Sequence, residues 1–299
     1  MTAATTTRFS LTVPGTDDAL REIDGVLVHE QSRFGNLGMG IWDLVLPGRR
    51  RVLDGFASAY SAVRKAEGRE LAPAEVRRLP DIDAGHPLAD MWHARAASFD
   101  TLRTALVDQP VGSVVDIGAG CGWLSARLAS VGWRAAATDV TVSGGDGLAA
   151  ACHHESELLL ARAEMEALPF ASSTVDLAVF NASLHYAANV KAALHEACRI
   201  LRPGGMLAVL DSPVFGDAAA GRAMVEEFAS HTRRTLGVPA AQLEGPGFVT
   251  KADLVEFSLT IAGDSRGMRS RFHAWRGARR AGRETATRPV LITTVGGRS

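Results

Sequence analysis

From residue 110 onward the apolar positions switch repeatedly between two rhythms. Ser113-Val114-Val115-Asp116-Ile117 is a short β-branched run that drives into Gly118, Gly120 and Gly122, after which Leu124, Leu128 and Val131 recur at helical spacing. The alternation continues and predicts strand 113–117, helix 122–131, strand 134–139, helix 146–153, strands 157–162 and 174–180, helix 188–201 and strand 206–211. Strands interleaved with helices imply right-handed crossovers, and so an α/β fold with a mostly parallel sheet covered by helices on both faces. Ligands of such sheets sit at the carboxyl ends of the strands. Asp116, Asp139, Glu164, Asn181 and Asp211 all fall at or just after such ends.

The flanks follow other patterns. Residues 1–8 form a polar, patternless tail, and short strands are expected at Phe9–Val13, Gly25–His29 and, beyond a glycine-rich stretch, Ile41–Leu46. From Val52 the period becomes helical, with Leu53, Phe56, Tyr60 and Val63 on one face and a basic, glycine-closed end at Arg64–Gly68. A turn-rich linker, Pro80–Pro87, leads to a second helix carrying Met91, Trp92, Arg95, Phe99, Leu102 and Leu106. Residues 1–109 thus form an accessory region whose two helices roof the site. Residues 110–299 form the sheet domain, with a substrate-side insertion at about 212–289. In that insertion a long helix is expected near 217–236, a helix opened by the capping box Thr250-Lys251-Ala252-Asp253, and a strand near Met268–Trp275; Pro289–Val295 is a last strand.

Composition narrows the classes. No apolar run approaches the ~20 residues that span a bilayer, and the first residues lack a signal peptide's apolar middle, so a cytoplasmic location is expected. The three cysteines, Cys121, Cys152 and Cys198, have no metal-ligand spacing, and adjacent His153 and His154 cannot aim both rings at one ion, so no metal is expected. The net charge of -1 conceals a basic end: residues 264–299 hold nine arginines against Asp264 and Glu284. A solvated basic surface explains that run, and an anionic substrate or a nucleic acid is the competing explanation.

The glycine turn carries the chemistry. Glycines let a ligand approach the main chain closely, and the helix that follows offers unpaired N–H groups. A carboxylate such as Asp116 would repel a pyrophosphate there, yet accepts hydrogen bonds from a cationic group such as an amino acid's ammonium. Asp139 ends the next strand about 20 residues on, where a doubly wound fold places an acid on ribose hydroxyls. Further along come Ala163-Glu164-Met165-Glu166-Ala167-Leu168-Pro169-Phe170, Val175–Asn181 and Arg199-Ile200-Leu201-Arg202-Pro203-Gly204-Gly205.

In that order, over roughly residues 110–212, these motifs resemble class I S-adenosylmethionine (SAM) dependent methyltransferases of the small-molecule, methyltransferase-11-like subgroup. The resemblance implies a Rossmann-like, seven-stranded sheet with its last strand antiparallel, SAM as cofactor and S-adenosylhomocysteine as product. By the same resemblance Asp116 and the backbone of Gly118, Ala119 and Gly120 hold the methionine part, Asp139 with Val140 the ribose, and Glu164 with Met165 the adenine. Asn181 lines the same pocket, and Arg95 either pairs with the cofactor carboxylate or lies on the surface. Relatives often carry a zinc module at the N-terminal end, but no cysteine precedes Cys121 here.

Methyl transfer is an in-line displacement at an activated sulfonium, so positioning supplies much of the catalysis and a base is needed only where the nucleophile must lose a proton. His185 is the candidate base, its ordinary pKa lying near neutrality, and the alternative is a ring that lines the pocket. Tyr186 either orients the substrate or packs beneath the roof helices. Asn181 is followed by Ala182-Ser183-Leu184 instead of the prolines and aromatic that stack a nucleobase. Transfer of a methyl group to an O, N or C atom of a small molecule is therefore expected. A SAM-binding regulator or partner subunit without turnover, and an RNA methyltransferase using the arginine-rich end, are the alternatives; the oligomeric state is not legible.

Overall fold

The computed structural model describes residues 9–264, 279, 282 and 284–296. The expected tail at 1–8 and the expected strand at 268–275 lie outside them, as does most of the arginine-rich stretch. An antiparallel hairpin series opens the described chain: β1 (Arg21–Ile23), β2 (Val26–His29) and β3 (Ser32–Phe34). Phe9–Val13 contributes only isolated bridges, Leu11 to Phe170 and Thr12 to Ala19. Then follow β4 (Ile41–Asp43) and the roof helices α1 (Arg50–Ala66), α2 (Pro73–Arg78) and α3 (Ala89–Ala105).

The sheet domain contains β5 (Ser113–Ile117), α4 (Trp123–Ser130), β6 (Arg134–Asp139), β7 (Leu159–Arg162), β8 (Val175–Asn181), α5 (Val190–Ile200) and β9 (Leu201–Leu210). The helix expected at 146–153 is a six-residue 3-10 segment, Leu148–His153, whose small Ala149-Ala150-Ala151 core lets it press against the sheet. Beyond β9 come β10 (Val214–Phe215), α6 (Ala218–His231), β11 (Val249–Thr250), α7 (Lys251–Leu254), β12 (Thr260–Asp264) and β13 (Pro289–Thr294). The capping box is present: Thr250 Oγ1 accepts from Asp253 N–H at 3.3 Å, and the Asp253 carboxylate accepts from Thr250 N–H at 2.8 Å.

The main sheet runs β12-β13-β9-β8-β5-β6-β7-β4. The strand order doubles back at β5, which pairs in parallel with both β6 and β8. The last strand, β13, is antiparallel to β9, in line with expectation, while the strand beside it is β12, ahead of the expected 268–275. There are eight strands where seven were expected. The eighth is β4, from the accessory region, added in parallel to the outer edge of β7 with Ile41 opposite Leu160. All three β4 residues are buried, so the strand closes an edge that would otherwise offer unpaired backbone groups to solvent. The line expected between accessory region and sheet domain is thus crossed by a strand.

Two apolar layers sandwich the sheet. On one side Ile117, Phe180 and Val209 pack with Leu194, Ala197 and Ile200 of α5; on the other Val114, Val179 and Leu210 pack with Trp92, Phe99 and Leu102 of α3 and with Trp123 and Leu128 of α4. Trp123 meets Trp92 and Phe99 edge-on at 5.7 and 5.6 Å, fixing α3 against α4. α3 is also pinned by Ser98 Oγ, which donates to Asp211 Oδ1 at 2.7 Å. Asp211, expected among the acids at the strand tips, therefore fastens a roof helix instead of facing the ligand side.

Candidate functional site

A cleft opens at the carboxyl ends of β5, β6, β7 and β8. Its floor is Gly118, Ala119, Gly120, Asp139, Val140, Glu164, Met165, Asn181 and Tyr186, with Arg95 on the wall. Residues from four strand tips are thus gathered at the point where the strand order reverses. The turn demands its glycines: Gly118, Gly120 and Gly122 have φ of 73°, 55° and 71°. A Cβ on Gly118 would run into Ser183, which sits there because its hydroxyl donates to Ile117 O at 2.5 Å.

Asp139 clasps the turn. Its Oδ2 accepts from Gly120 N–H at 2.8 Å and its Oδ1 from Thr141 N–H at 2.7 Å. Burial pushes its carboxyl above the usual range, the two backbone donors pull it down, and the charge of Asp146 adds to the rise. Each carboxylate oxygen retains a second lone pair, so a diol can still be accepted.

Asp116 does not line the cleft. It stands behind the turn, fully buried, with Oδ2 accepting from Ser125 Oγ of α4 at 2.9 Å and Oδ1 without a partner. Burial raises its pKa to about 7 against the pull of Ser125. Glu164 does line the cleft but is already engaged: Arg49, the residue before α1, donates Nε to its Oε2 at 2.9 Å and turns its other nitrogens to Glu244.

His185, like Asp116, is an expected site residue that the structure places off the cleft. Its Nδ1 lies 3.3 Å from Ser212 Oγ. Burial, then the charges of Arg288, Arg64 and Arg95, hold its pKa well below the ordinary value, so the ring is neutral. Tyr186, by contrast, faces the cleft within an aromatic group, 5.4 Å edge-on from Tyr60 and 6.2 Å from Phe56. Its hydroxyl accepts from Arg64 Nη2 at 2.7 Å, leaving the phenolic hydrogen to point elsewhere.

Several cleft residues had no sequence signal as ligands. Leu53, Phe56, Tyr60 and Arg64 descend from one face of α1, Arg69 from the turn after it, and Gln242, Leu243 and Glu244 from the stretch after α6. The helical period of α1 exposed its apolar face in the sequence; that the sheet's mouth lay beneath that face became evident only from the packing. Asp146 also lines the cleft and starts no helix of its own.

The same residues test the fit of a nucleoside joined to an amino acid. Four cleft groups are buried without a hydrogen-bond partner: Arg64 Nε, Trp92 Nε1, Asp146 Oδ2 and Asn181 Oδ1. Buried polar atoms are normally paired. Two unmet donors and two unmet acceptors, beside the diol-accepting Asp139 and the backbone of the glycine turn, match a ligand carrying hydroxyls, an ammonium and a carboxylate.

Residues 115–209 match the family model for a methyltransferase domain. Over these residues the chain is similar to class I SAM-dependent methyltransferases. Among curated proteins it is similar to the malonyl-[acyl-carrier protein] O-methyltransferase of Hahella chejuensis, 31% identical over 147 residues, covering 43% of this chain and 52% of that one. It is likewise similar to the demethylmenaquinone methyltransferase of Corynebacterium kroppenstedtii, 31% identical over 148 residues, covering 48% and 62%. The chain thus spans about half to three-fifths of the length of these relatives. A geranyl diphosphate C-methyltransferase structure from Streptomyces coelicolor A3(2) superposes with TM-score 0.47 at 14% identity, covering 84% of this chain and 99% of that one. Among the described residues of the methyltransferase domain and its flanks, no three His, Cys, Asp or Glu side chains converge as for a metal ion, and no helix is long and apolar enough to cross a membrane.

Proposed function

We propose that this chain transfers the methyl group of SAM to a small molecule by in-line displacement in the cleft beneath α1 and α3. The observation that carries the reading is the gathering of Asp139, Glu164 and Asn181 around a positive-φ glycine turn, with unmet polar atoms facing the same space. SAM supplies a methyl on a positively charged sulfur, already activated towards a nucleophile.

This chain's residues do the rest. Asp139 accepts the ribose hydroxyls through its free lone pairs, and Met165 and Glu164 border the adenine once Glu164 shares its contact with Arg49. Asn181 Oδ1 and the turn address the amino-acid end, with Asp116 backing the turn and Arg95 taking the carboxylate. Arg95 stacks over Trp92 at 4.6 Å and has no carboxylate within ion-pair distance among the described residues. The cleft admits an acceptor against Phe56, Tyr60 and Tyr186, where the Tyr186 hydroxyl, steadied by Arg64, orients the nucleophile. A roof formed by α1 and α3 suits a compact acceptor better than a polymer strand. A neutral His185 hydrogen-bonded away from the cleft leaves positioning as the main source of rate.

Titration calorimetry with S-adenosylhomocysteine tests the site. Wild-type protein is expected to bind, and Asp139→Ala to lose roughly a hundredfold or more in affinity with its far-ultraviolet spectrum unchanged, because both the diol contact and the clasp on Gly120 disappear. Unchanged affinity in the variant refutes the assignment.

A further inference from the structure

On the wall of the cleft opposite the strand tips, two guanidinium groups share one ion-pair partner. Arg64 and Arg69 both lean on a single carboxylate, Glu67: Arg64 Nη1 donates to Glu67 Oε2 at 2.5 Å and Arg69 Nε to the same oxygen at 2.9 Å. Arg64 also donates Nη2 to the Tyr186 hydroxyl at 2.7 Å, whereas Arg69 is less well met. Arg64 Nε is buried without a partner, and Arg69 Nη1 reaches only the thioether of Met91 at 3.4 Å, a weak acceptor. The pKa of Arg69 is lowered, first by burial and then by the neighbouring charge of Arg64, in keeping with a cation short of counter-charge. Around them the surface is apolar: Tyr60, Leu71, Leu88 and Met91 line the same wall.

We infer that the methyl acceptor is an organic acid with an apolar body, its single carboxylate held by Arg69 beside Met91 and its body lying against Tyr60 and Leu71. Beyond the Glu67 oxygen that it shares with Arg64, Arg69 has only the Met91 sulfur beside it, which leaves its guanidinium open to one carboxylate. A guanidinium fork is also the geometry that grips a carboxylate with two parallel hydrogen bonds. The inference rests on the proposed methyl-transfer reading and adds a division of labour to it: Arg95 serves the cofactor, Arg69 the acceptor.

Calorimetry on the full chain saturated with S-adenosylhomocysteine separates the two. Saturation itself reports on the cofactor reading, before any acceptor is added. The probes are two matched pairs, cinnamate against cinnamamide and decanoate against decanol. The acid of at least one pair is expected to bind tenfold or more tightly than its neutral partner. Arg69→Met is expected to abolish that preference while S-adenosylhomocysteine affinity stays within about threefold, Arg69→Lys to restore part of it, and Arg95→Met to weaken S-adenosylhomocysteine instead. Equal binding of acid and neutral partner, binding of neither, a preference that survives Arg69→Met, or loss of S-adenosylhomocysteine binding in a folded Arg69→Met protein each overturns the proposal. Should Arg69→Met fail to fold, Arg69→Gln carries the same comparison.

Discussion

Asp116 shows how a buried acid can serve a site without touching its ligand. Its carboxyl is raised to about 7 from the ordinary 3.8, so the folded chain holds this proton more tightly than the unfolded one. The resulting stability is full below the unfolded value and is lost as pH rises through the folded one, here between about 4 and 7. Asp116→Asn, which cannot ionise, should therefore gain on the wild type in melting temperature as pH increases from 5 to 8. A pH series of thermal melts on both proteins checks this, and a gap constant with pH refutes it. Tyr186 and His185 divide in the same local way. Tyr186→Phe is expected to lower kcat roughly tenfold by removing the hydroxyl that Arg64 holds, whereas His185→Ala should leave kcat within about threefold and add no inflection near pH 6.5. Steady-state rates over a pH range decide between them. The positions of the strand-tip residues were legible in the sequence because a β-branched run followed by glycines marks where a strand ends, but that Asp116 and Asp211 turn from the cleft to Ser125 and Ser98 was not. The orientation of His185 was not, since one residue's step along a 3-10 turn decides whether Tyr186 or His185 meets the cleft.

At the scale of elements, the roof is tied down by ion pairs that no periodicity announces. Arg49 joins the start of α1 to Glu164 after β7 and to Glu244 in the stretch after α6, and Arg162 of β7 reaches Asp43 of β4 at 3.7 Å and Asp54 of α1. The Arg49–Glu244 contact is the more exposed and is worth at most about 1 kcal/mol; the one with Glu164 is better shielded. Arg49→Ala should accordingly cost only about 1–2 kcal/mol in global stability, yet speed protease cleavage within residues 237–248 several-fold, because that stretch loses its tie to the roof. Urea denaturation and mass spectrometry of a timed digest measure the two effects. Helices α1, α4 and α5, the start of α3 and strands β5 to β8 were legible to within about two residues, whereas β9 starts at Leu201, ahead of the expected 206. The Leu148–His153 segment was not: its alanines fit an α-helix equally well, and only contact with the sheet selects the tighter turn.

For the molecule as a whole, the sequence pointed to two parts and the packing makes one. Alternating strands and helices after residue 110 prescribed the sheet, but a three-residue strand at Ile41 carries too little pattern to reveal its partner, more than a hundred residues away. Because β4 covers the edge of β7, a chain lacking residues 1–47 should not behave as a sheet domain freed of an appendage. It should lose the single cooperative unfolding transition of the full chain and associate through its bared edge, which calorimetry and light scattering would register. Retention of a monomeric, cooperative fold would make the accessory region separable after all.

The pairing of Ile41 with Leu160 also sets an order in time. During synthesis the early strand emerges first and must wait for about 120 further residues before anything exists for it to zip against. Through that interval Ile41, Trp42 and the apolar segment behind them have no strand edge to cover. The return of that early strand to β7 brings down the roof helices that follow it in the chain.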